Sequence, residues 1–194
     1  MGIRLGSTTR YLATVQEWWS DKIGGIVRFC RQDSGRFSIH SVEAKPFSVV
    51  LIDSMLPKNT ASMIQRVKEL REQFPGAVEC LFDCIDELVK TATGDDVLEL
   101  DKLVRATRVN QNVLRALGVS CEAIDRIVEV AEQHGFVAKL TGGGGGGCVV
   151  AIRQSASDSD ERRFVDCLDG LGFLTQQIQL GGEGVKVDFI HSIV

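Results

Sequence analysis

The sequence predicts an α+β fold in which helices cover one face of an antiparallel sheet. Three observations lead to this prediction: short strand-like apolar runs come first, four helical patterns follow, and two further strands flank a run of six glycines before a fifth helix. Strands and helices grouped in this way are typical of a mixed fold rather than of a parallel α/β sheet. The sequence shows no internal repeat and no interdomain linker.

The strand predictions rest on short runs of apolar and β-branched residues. Ile26–Cys30 and Phe37–Val42 are two such runs, joined by the turn residues Gln32–Gly35. Phe47–Ile52 is continuously apolar, which indicates a central buried strand. Near the end of the chain, Val185–Ile190 alternates apolar and polar side chains and predicts a closing strand.

Five helices are predicted from apolar residues spaced three and four apart and from capping signals. They run from about Asn59 to Gln73, Ala77 to Ala92, Val97 to Leu117, Ser120 to His134 and Glu161 to Leu171. Asn59 or Thr60 is a suitable N-cap for the first helix, and Ser120 for the fourth. Residues 155–160 are polar and indicate a surface turn. Asn110 interrupts the apolar stripe of the third helix, and we expect it to satisfy a buried hydrogen bond rather than to contact a substrate.

Composition excludes several classes of protein. The 194 residues are 44% hydrophobic and 25% charged, which is ordinary for one globular domain. A net charge of −4 without a basic cluster argues against nucleic acid and anionic membranes as partners. No apolar run reaches the about 18 residues of a membrane span, and no signal peptide is recognisable, so we expect a cytoplasmic protein. The six cysteines lack the spacing of a metal site and are expected to be reduced thiols.

The run Gly142–Gly147 is the most unusual feature of the sequence. It lies between two apolar runs that predict strands, Phe136–Leu140 and Cys148–Ile152. Glycine reaches positive φ and leaves its backbone N–H uncovered, so that several glycines together can bind phosphate. We therefore favour an anion-binding loop over a flexible hairpin. It is not a Walker A loop, because no Gly-Lys-Ser/Thr follows and the next element is a strand.

The ten residues from Lys139 to Cys148, Lys-Leu-Thr followed by six glycines and Cys, resemble the third motif of the GHMP small-molecule kinases, and within them the mevalonate kinase family. The family usually has alanine at the position of Gly143. Four further stretches resemble the family in the same order, at residues 24–29, 57–60, 110–120 and 181–185. The resemblance implies the C-terminal domain of a GHMP kinase, with a ferredoxin-like antiparallel sheet.

The resemblance also implies an activity, ATP-dependent phosphorylation of mevalonate in isoprenoid and sterol precursor synthesis, with Mg²⁺ as the counter-ion. It implies that Lys58 and Thr60 position mevalonate, and it allows a homodimer. The implied cofactor-binding residues are Thr141, Gly142, Gly143, Gly144, Gly145, Gly146 and Gly147. Each side chain also has a structural interpretation: Thr60 as a helix cap, Thr141 as a β-branched strand residue, and Lys139 as a solvated lysine at a strand end.

Two family features do not occur in this sequence. The Gly-Leu-Gly-Ser-Ser phosphate loop is absent, and Glu17 stands in an unlike context where a catalytic aspartate is expected, so no residue is assigned a catalytic role. We interpret residues 1–22 as an unassigned lead-in, 23–44 as strands of the family's N-terminal domain and 45–194 as its C-terminal domain. We therefore expect the chain to lack the N-terminal ATP-binding lobe and to be inactive alone. The alternatives are a non-catalytic α+β ligand-binding or interaction module, and another GHMP kinase such as phosphomevalonate or homoserine kinase.

Overall fold

The computed structural model describes residues 10–13, 25–31 and 36–181, whose strands form two antiparallel sheets. The first sheet has the order β1-β2-β3 and consists of β1 (Arg10–Ala13), β2 (Ile26–Arg31) and β3 (Phe37–Val42). The second sheet has the order β5-β6-β4-β7 and consists of β4 (Phe47–Asp53), β5 (Phe136–Leu140), β6 (Cys148–Arg153) and β7 (Leu174–Leu180). The continuous apolar run thus becomes β4, an interior strand as predicted.

The helices of the described residues are α1 (Thr60–Gln73), α2 (Pro75–Ala92), α3 (Leu100–Ala116), α4 (Glu122–Gln133) and α5 (Asp158–Gly170). A short 3₁₀ helix, Gly94–Asp96, precedes α3. None of these helices has the length and apolar character needed to cross a membrane. The predicted α+β fold is confirmed: along the described chain β4 precedes the first four α-helices, and the β5–β6 hairpin lies between α4 and α5.

Alternation along the strands of the second sheet separates two apolar clusters. Val50 and Ile52 of β4 face the larger cluster, which includes core residues of α1, α4 and α5. Val49, on the opposite face of β4, packs with Leu103 and Val104 near the start of α3. Because successive side chains of a strand point to opposite faces, one strand contributes to both clusters. The second sheet is therefore packed on both of its faces, and the β5–β6 connection that contains the glycine run extends from this packed sheet.

Helix ends agree with the sequence in some places and differ in others. Asn59 is confirmed as the cap of α1, because its Oδ1 accepts the Ser62 N–H at 3.0 Å. The second helix begins at Pro75, two residues earlier than predicted, because proline is well accommodated in a first helical turn. The third begins later than predicted, because Val97 instead forms a β-bridge with Glu43.

The prediction of a surface turn over residues 155–160 is wrong at its C-terminal part. Helix α5 begins at Asp158, where Ser157 and Asp160 form a capping box: the Ser157 hydroxyl accepts the Asp160 N–H, and the Asp160 carboxylate accepts the Ser157 N–H. Hydrogen bonds from the Ser157 side chain and then from its backbone lower the pKa of Asp160 to about 2. The polar stretch is therefore the first turn of a helix, in which acidic residues are favoured by the helix dipole.

Two strands were not predicted. Strand β1 lies within the unassigned lead-in and pairs with β2, and β7 pairs with β4 at one edge of the second sheet. The predicted turn at residues 32–35 and the predicted strand at residues 185–190 lie outside the described residues. Free thiols are found at Cys80, Cys84, Cys121, Cys148 and Cys167.

Candidate functional site

The glycine run forms a loop between β5 and β6, and two segments of the chain lie against it. One segment, residues 56–60, leads into α1. The other, residues 117–120, joins α3 to α4. The structure thus brings together the two groups of residues that the sequence singled out, the glycine run and the residues around Lys58 and Thr60.

Close approach explains why the loop consists of glycine. A Cβ atom added to Gly144 would overlap the carbonyl oxygen of Val119, and one added to Gly147 would overlap Cε of Lys58. Both glycines also have positive φ, at 79° and 81°, which side chains disfavour. The run is therefore packed against its neighbours on both sides, which distinguishes it from a flexible linker.

Two of the six loop amides are used inside the fold. The N–H of Gly145 donates to the Val119 carbonyl at 2.9 Å, and that of Gly147 donates to the Leu56 carbonyl at 3.0 Å. These two bonds fix the loop to its two flanking segments. Because their N–H groups are already satisfied, Gly145 and Gly147 are poor candidates for anion binding.

The other four amides, those of Gly142, Gly143, Gly144 and Gly146, donate to no group in the part of the chain that the structure describes. Gly144 and Gly146 are buried residues. A backbone N–H that is buried without a partner is rare in folded proteins and costs free energy comparable to a lost hydrogen bond. Such amides are suitable for an acceptor supplied by a ligand, and a loop with four unpartnered amides, two of them in buried glycines, is typical of an anion site.

Thr60 is the first residue of α1 and lies directly over the loop. A Cβ atom at Gly143 would be 2.9 Å from Cγ2 and 3.0 Å from Oγ1 of Thr60. Asn59 makes the capping hydrogen bond of this helix. The Thr60 hydroxyl therefore is not needed as a cap, and it donates to no group among the described residues.

The local charge near the loop is positive. The 14-residue helix α1 begins against the loop, and the N-terminus of a helix carries the positive end of its dipole. Lys58 is exposed, its aliphatic stem covers Gly147, and it forms no ion pair with any described residue. The helix terminus and the ammonium group therefore both favour an anion at this position.

Thr141 closes the base of the loop. Its N–H donates to the Cys148 carbonyl at 2.9 Å, and its hydroxyl donates to the same oxygen at 2.8 Å. The hydroxyl proton is therefore already engaged. As a ligand contact, Thr141 is limited in this conformation to accepting a hydrogen bond.

Lys139 does not belong to the loop itself. It is half-buried in β5, and its Nζ donates to the Leu140 carbonyl at 2.7 Å. Desolvation of the ammonium group lowers the pKa of Lys139 from 10.5 to about 8. Within the described part of the chain it has no acidic ion-pair partner, so burial is uncompensated by a counter-charge. The interpretation of Lys139 as a fully solvated lysine is therefore wrong.

The expectation for Asn110 is also wrong, because its Oδ1 is buried and meets no hydrogen-bond partner among the described residues. The buried amide that does bond is the neighbouring Gln111, which is 1% exposed. Gln111 accepts the Leu140 N–H at 2.9 Å and donates to the Ser120 hydroxyl at 3.2 Å. Gln111 lies in one of the stretches that resemble the family. The sequence pattern nevertheless placed Asn110 on the buried face of α3, which implied that Gln111 faces outward, whereas Gln111 is the buried residue.

Comparison with known proteins identifies the class. The family described as GHMP kinases C terminal matches residues 87–166. This region includes α3, α4, both strands that flank the glycine run, and the run itself. The chain therefore contains a GHMP kinase C-terminal domain.

Within that class the similarity is to mevalonate kinases. The mevalonate kinase of Schizosaccharomyces pombe is 34% identical over 84% of this chain and 43% of that protein. The enzyme of Archaeoglobus fulgidus is 42% identical over 49% of this chain and 33% of that protein. The crystal structure of L. major mevalonate kinase in complex with R-mevalonate aligns with a TM-score of 0.69 at 23% identity, over 83% of this chain and 50% of that chain. The chain is a homologue of mevalonate kinases that spans less than half of the length of these two curated relatives.

The residues at the loop can be tested for their fit to a nucleotide and its metal ion. The unpartnered amides, the α1 terminus and Lys58 fit the phosphates of ATP. The described residues include no cluster of three or more potential protein ligands for a metal. Mg²⁺ in phosphotransferases is commonly held by substrate phosphates and waters with one or two carboxylates.

Proposed function

We propose that this chain supplies the part of a mevalonate kinase that contacts the phosphates and mevalonate, in a reaction that transfers the γ-phosphoryl group of ATP to the 5-hydroxyl of mevalonate. The observation that carries the proposal is the pair of buried glycines, Gly144 and Gly146, whose amides lack partners in the described part of the chain beside Lys58 and Thr60. The similarity to mevalonate kinases supports the choice of substrate. A cytoplasmic location and a role in isoprenoid and sterol precursor synthesis belong to the same proposal.

The chemistry requires little beyond positioning and charge neutralisation, because phosphoryl transfer proceeds through a transition state that the protein stabilises mainly electrostatically. The loop amides would donate to phosphate oxygens. The Lys58 ammonium group would offset their negative charge, and the Thr60 hydroxyl would orient mevalonate. Mg²⁺, when bound, supplies further neutralisation of the phosphates. None of the described residues is assigned the role of base.

The proposed domain division places residues 23–44 in the family's N-terminal domain and residues 45–194 in its C-terminal domain. Support comes from the sheets, since the three-stranded sheet ends at Val42 and the four-stranded sheet begins at Phe47. Under this proposal the chain needs the family's Gly-Leu-Gly-Ser-Ser segment, which its 194 residues do not contain, before it can turn over substrate.

The test is an NMR titration of the ¹⁵N-labelled 194-residue chain with MgATP and, separately, with inorganic pyrophosphate. We expect the amide signals of Gly144 and Gly146 to shift more than those of Gly145 and Gly147, whose N–H groups are already bonded. Because only one side of the nucleotide would be enclosed, the dissociation constant should be nearer about 1 mM than 1 μM. Shifts confined to residues outside the loop would contradict the proposal and favour the non-catalytic module.

Two side-chain variants separate the phosphate contact from the mevalonate contact. Lys58→Met keeps the stem over Gly147 and removes the charge, so it should weaken pyrophosphate binding. Thr60→Val keeps the volume and removes the hydroxyl, so it should leave pyrophosphate binding unchanged and weaken mevalonate binding. The matched control is Lys68→Met, which removes an exposed lysine further along α1. Equal losses in the Lys58 and Lys68 variants would show that only the net charge matters.

A further inference from the structure

Gln111 is a buried amide that connects two separate parts of the fold. Its side chain is 1% exposed, and both of its ends are bonded: Oε1 accepts the Leu140 N–H at 2.9 Å, and Nε2 donates to the Ser120 hydroxyl at 3.2 Å. A buried side-chain amide is tolerated when its donors and acceptor find partners. Gln111 therefore has a defined position, determined by Leu140 on one side and Ser120 on the other.

The Leu140 contact compensates for an open sheet edge. Strand β5 is at the edge of the sheet formed by the described strands, and no other described strand pairs with its outward amides. Gln111 takes the outward amide of Leu140, the last residue of β5. The glycine loop begins two residues later at Gly142. The bond thus fixes the strand end from which the loop starts.

The Ser120 contact determines the orientation of the glutamine amide. The Ser120 hydroxyl donates its only proton to Oδ1 of Asp125 at 2.8 Å, because a carboxylate can only accept. Ser120 must then accept from Gln111, which turns Nε2 toward Ser120 and Oε1 toward Leu140. Arg115 donates to the same Asp125 oxygen at 2.6 Å and holds this carboxylate in place. We call Gln111, Ser120 and Asp125 the amide clamp.

The amide clamp also reaches the middle of the loop through the backbone. Ser120 directly follows Val119, whose carbonyl accepts the Gly145 N–H at 2.9 Å and lies closest to the Cβ position of Gly144. The neighbouring amide of Gly144 has no partner in the described chain. Val119 therefore holds the middle of the loop, next to an amide that is available to a ligand.

From these contacts we propose that Gln111 is a positioning residue that acts through Leu140 and Ser120 to hold the glycine-loop amides in their ligand-binding arrangement. The inference rests on the proposed function in one respect, that the loop binds phosphate. Gln111 itself does not contact the ligand. It holds the loop before the ligand arrives, and such preorganisation contributes to affinity by reducing the ordering that binding requires.

The test compares two clamp variants with a matched core variant in the full 194-residue chain. Gln111→Met keeps the volume and removes both bonds, and Ser120→Ala removes the bond that orients the amide. Val130→Ala also disturbs α4 in the core but removes none of the side-chain hydrogen bonds of Gln111 and Ser120, so it reports the effect of lost core stability. The first readout is hydrogen exchange of the Gly145 amide, expressed relative to the amide of Val50 in the central strand.

We expect Gln111→Met to speed the relative exchange of Gly145 about tenfold and to weaken pyrophosphate binding by a similar factor, the scale on which loss of a supporting contact affects a site. Ser120→Ala should show a smaller change in the same direction. If Gln111→Met does not fold, Ser120→Ala alone tests the proposed role of the amide clamp. Val130→Ala should leave the ratio unchanged. A ratio that is equal in the clamp and core variants would overturn the inference. If the wild-type chain does not bind pyrophosphate, the proposed function fails. The ratio of Gly145 to Val50 exchange would still test whether the amide clamp holds the loop.

Discussion

The two flanks of the glycine loop differ in how completely their polar groups are satisfied. On the flank that joins α3 to α4, Val119, Ser120 and Gln111 all have hydrogen-bond partners. On the flank that leads into α1, Lys58 forms no ion pair and the Thr60 hydroxyl donates to no acceptor among the residues that the structure describes. Satisfied polar groups stabilise a fold, whereas groups without partners next to unpaired amides are available to a ligand. Each flank holds the loop through one backbone bond, but the flank that joins α3 to α4 is the supporting flank, because its polar side chains are satisfied, whereas the flank that leads into α1 has side chains available to a ligand.

The largest effect should follow from a change against the supporting flank. Gly144→Ala would place a Cβ atom on the Val119 carbonyl and force a side chain to φ 79°. We expect it to lower the free energy of unfolding by about 3 kcal/mol, because backbone cannot move aside as a flexible side chain can. Gly142→Ala is the control: its φ is also positive, but a Cβ there meets no atom within 4 Å, and a loss of about 1 kcal/mol is expected. Urea unfolding measures both, and equal losses would show that close approach is unimportant.

A second prediction concerns Lys139, which lies in β5 just before the loop. Its pKa is lowered from 10.5 to about 8 by desolvation, so the folded chain binds fewer protons than the unfolded chain between these pH values. Stability therefore rises with pH from about 8 toward 10.5, and the penalty for charging the buried amine is fully present below pH 8. Lys139→Met should raise the free energy of unfolding by about 2 kcal/mol at pH 7.

That gain should shrink as the pH rises from 8 toward 10, because Lys139 of the folded wild-type chain is then increasingly neutral and no longer carries the penalty of a buried charge. Urea unfolding of both proteins at pH 7, 8.5 and 10 provides the measurement. Lys68→Met serves as the control for an exposed lysine and should show no such trend. A pH-independent difference between wild type and Lys139→Met would mean that packing, rather than ionisation, causes the change.

A third prediction compares the two flanks directly. Ser120→Ala removes a bonded hydroxyl from the supporting flank and should lower the free energy of unfolding by about 1 kcal/mol. Thr60→Val removes a hydroxyl that donates to no described group, so the change should be within about 0.5 kcal/mol. Thermal or urea unfolding at one pH is sufficient. The comparison between flanks would be contradicted if Thr60→Val were the more damaging substitution.

The smallest expected signal is enzymatic. The purified 194-residue chain with mevalonate and MgATP should release ADP at the background rate, because the sequence contains neither the Gly-Leu-Gly-Ser-Ser loop nor an aspartate in the family's catalytic context. A coupled ADP-release assay measures this rate. Turnover that depends on mevalonate and is abolished by Lys58→Met would contradict the prediction and show that this chain suffices for the reaction.

The sequence predicted the parts of the fold whose signals are local. The buried strand β4, the Asn59 cap and the glycine loop between two strands could be read from a few adjacent residues each. Strand β7 was missed because it lies at an edge of the described sheet. Its sequence, Leu-Thr-Gln-Gln-Ile-Gln-Leu, has glutamines at positions where alternation would require apolar residues. Edge strands need fewer apolar residues than central ones, so a pattern based on burial is weak for them.

The candidate site was predicted in part for a similar reason. Lys58, Thr60 and the glycines belong to short stretches in which the residue types alone indicate a binding site. Within the amide clamp, Gln111 bonds to Ser120, which is 9 residues away along the chain, and Gln111 also bonds to Leu140, which is 29 residues away. No local pattern reveals such bonds, because they depend on how α3 packs along the edge of β5. Ser120 was consequently assigned to a helix cap, whereas Cys121 occupies that position without a side-chain bond.

The close approach of Gly143 to Thr60 limits which substitutions these two positions can accept during evolution. The resemblance to the GHMP kinases predicts alanine at position 143, whereas here a methyl group at that position would be 2.9 Å from the Thr60 methyl. Alanine at 143 therefore requires Thr60 to turn or to shrink, while glycine at 143 tolerates Thr60 as it stands. The two positions form an epistatic pair: a substitution that is harmless in one lineage is unfavourable in another until its neighbour has changed. If one of these two residues is exchanged between homologues without the other, the measured effect on stability should consequently reflect the mismatch between them rather than the residue itself.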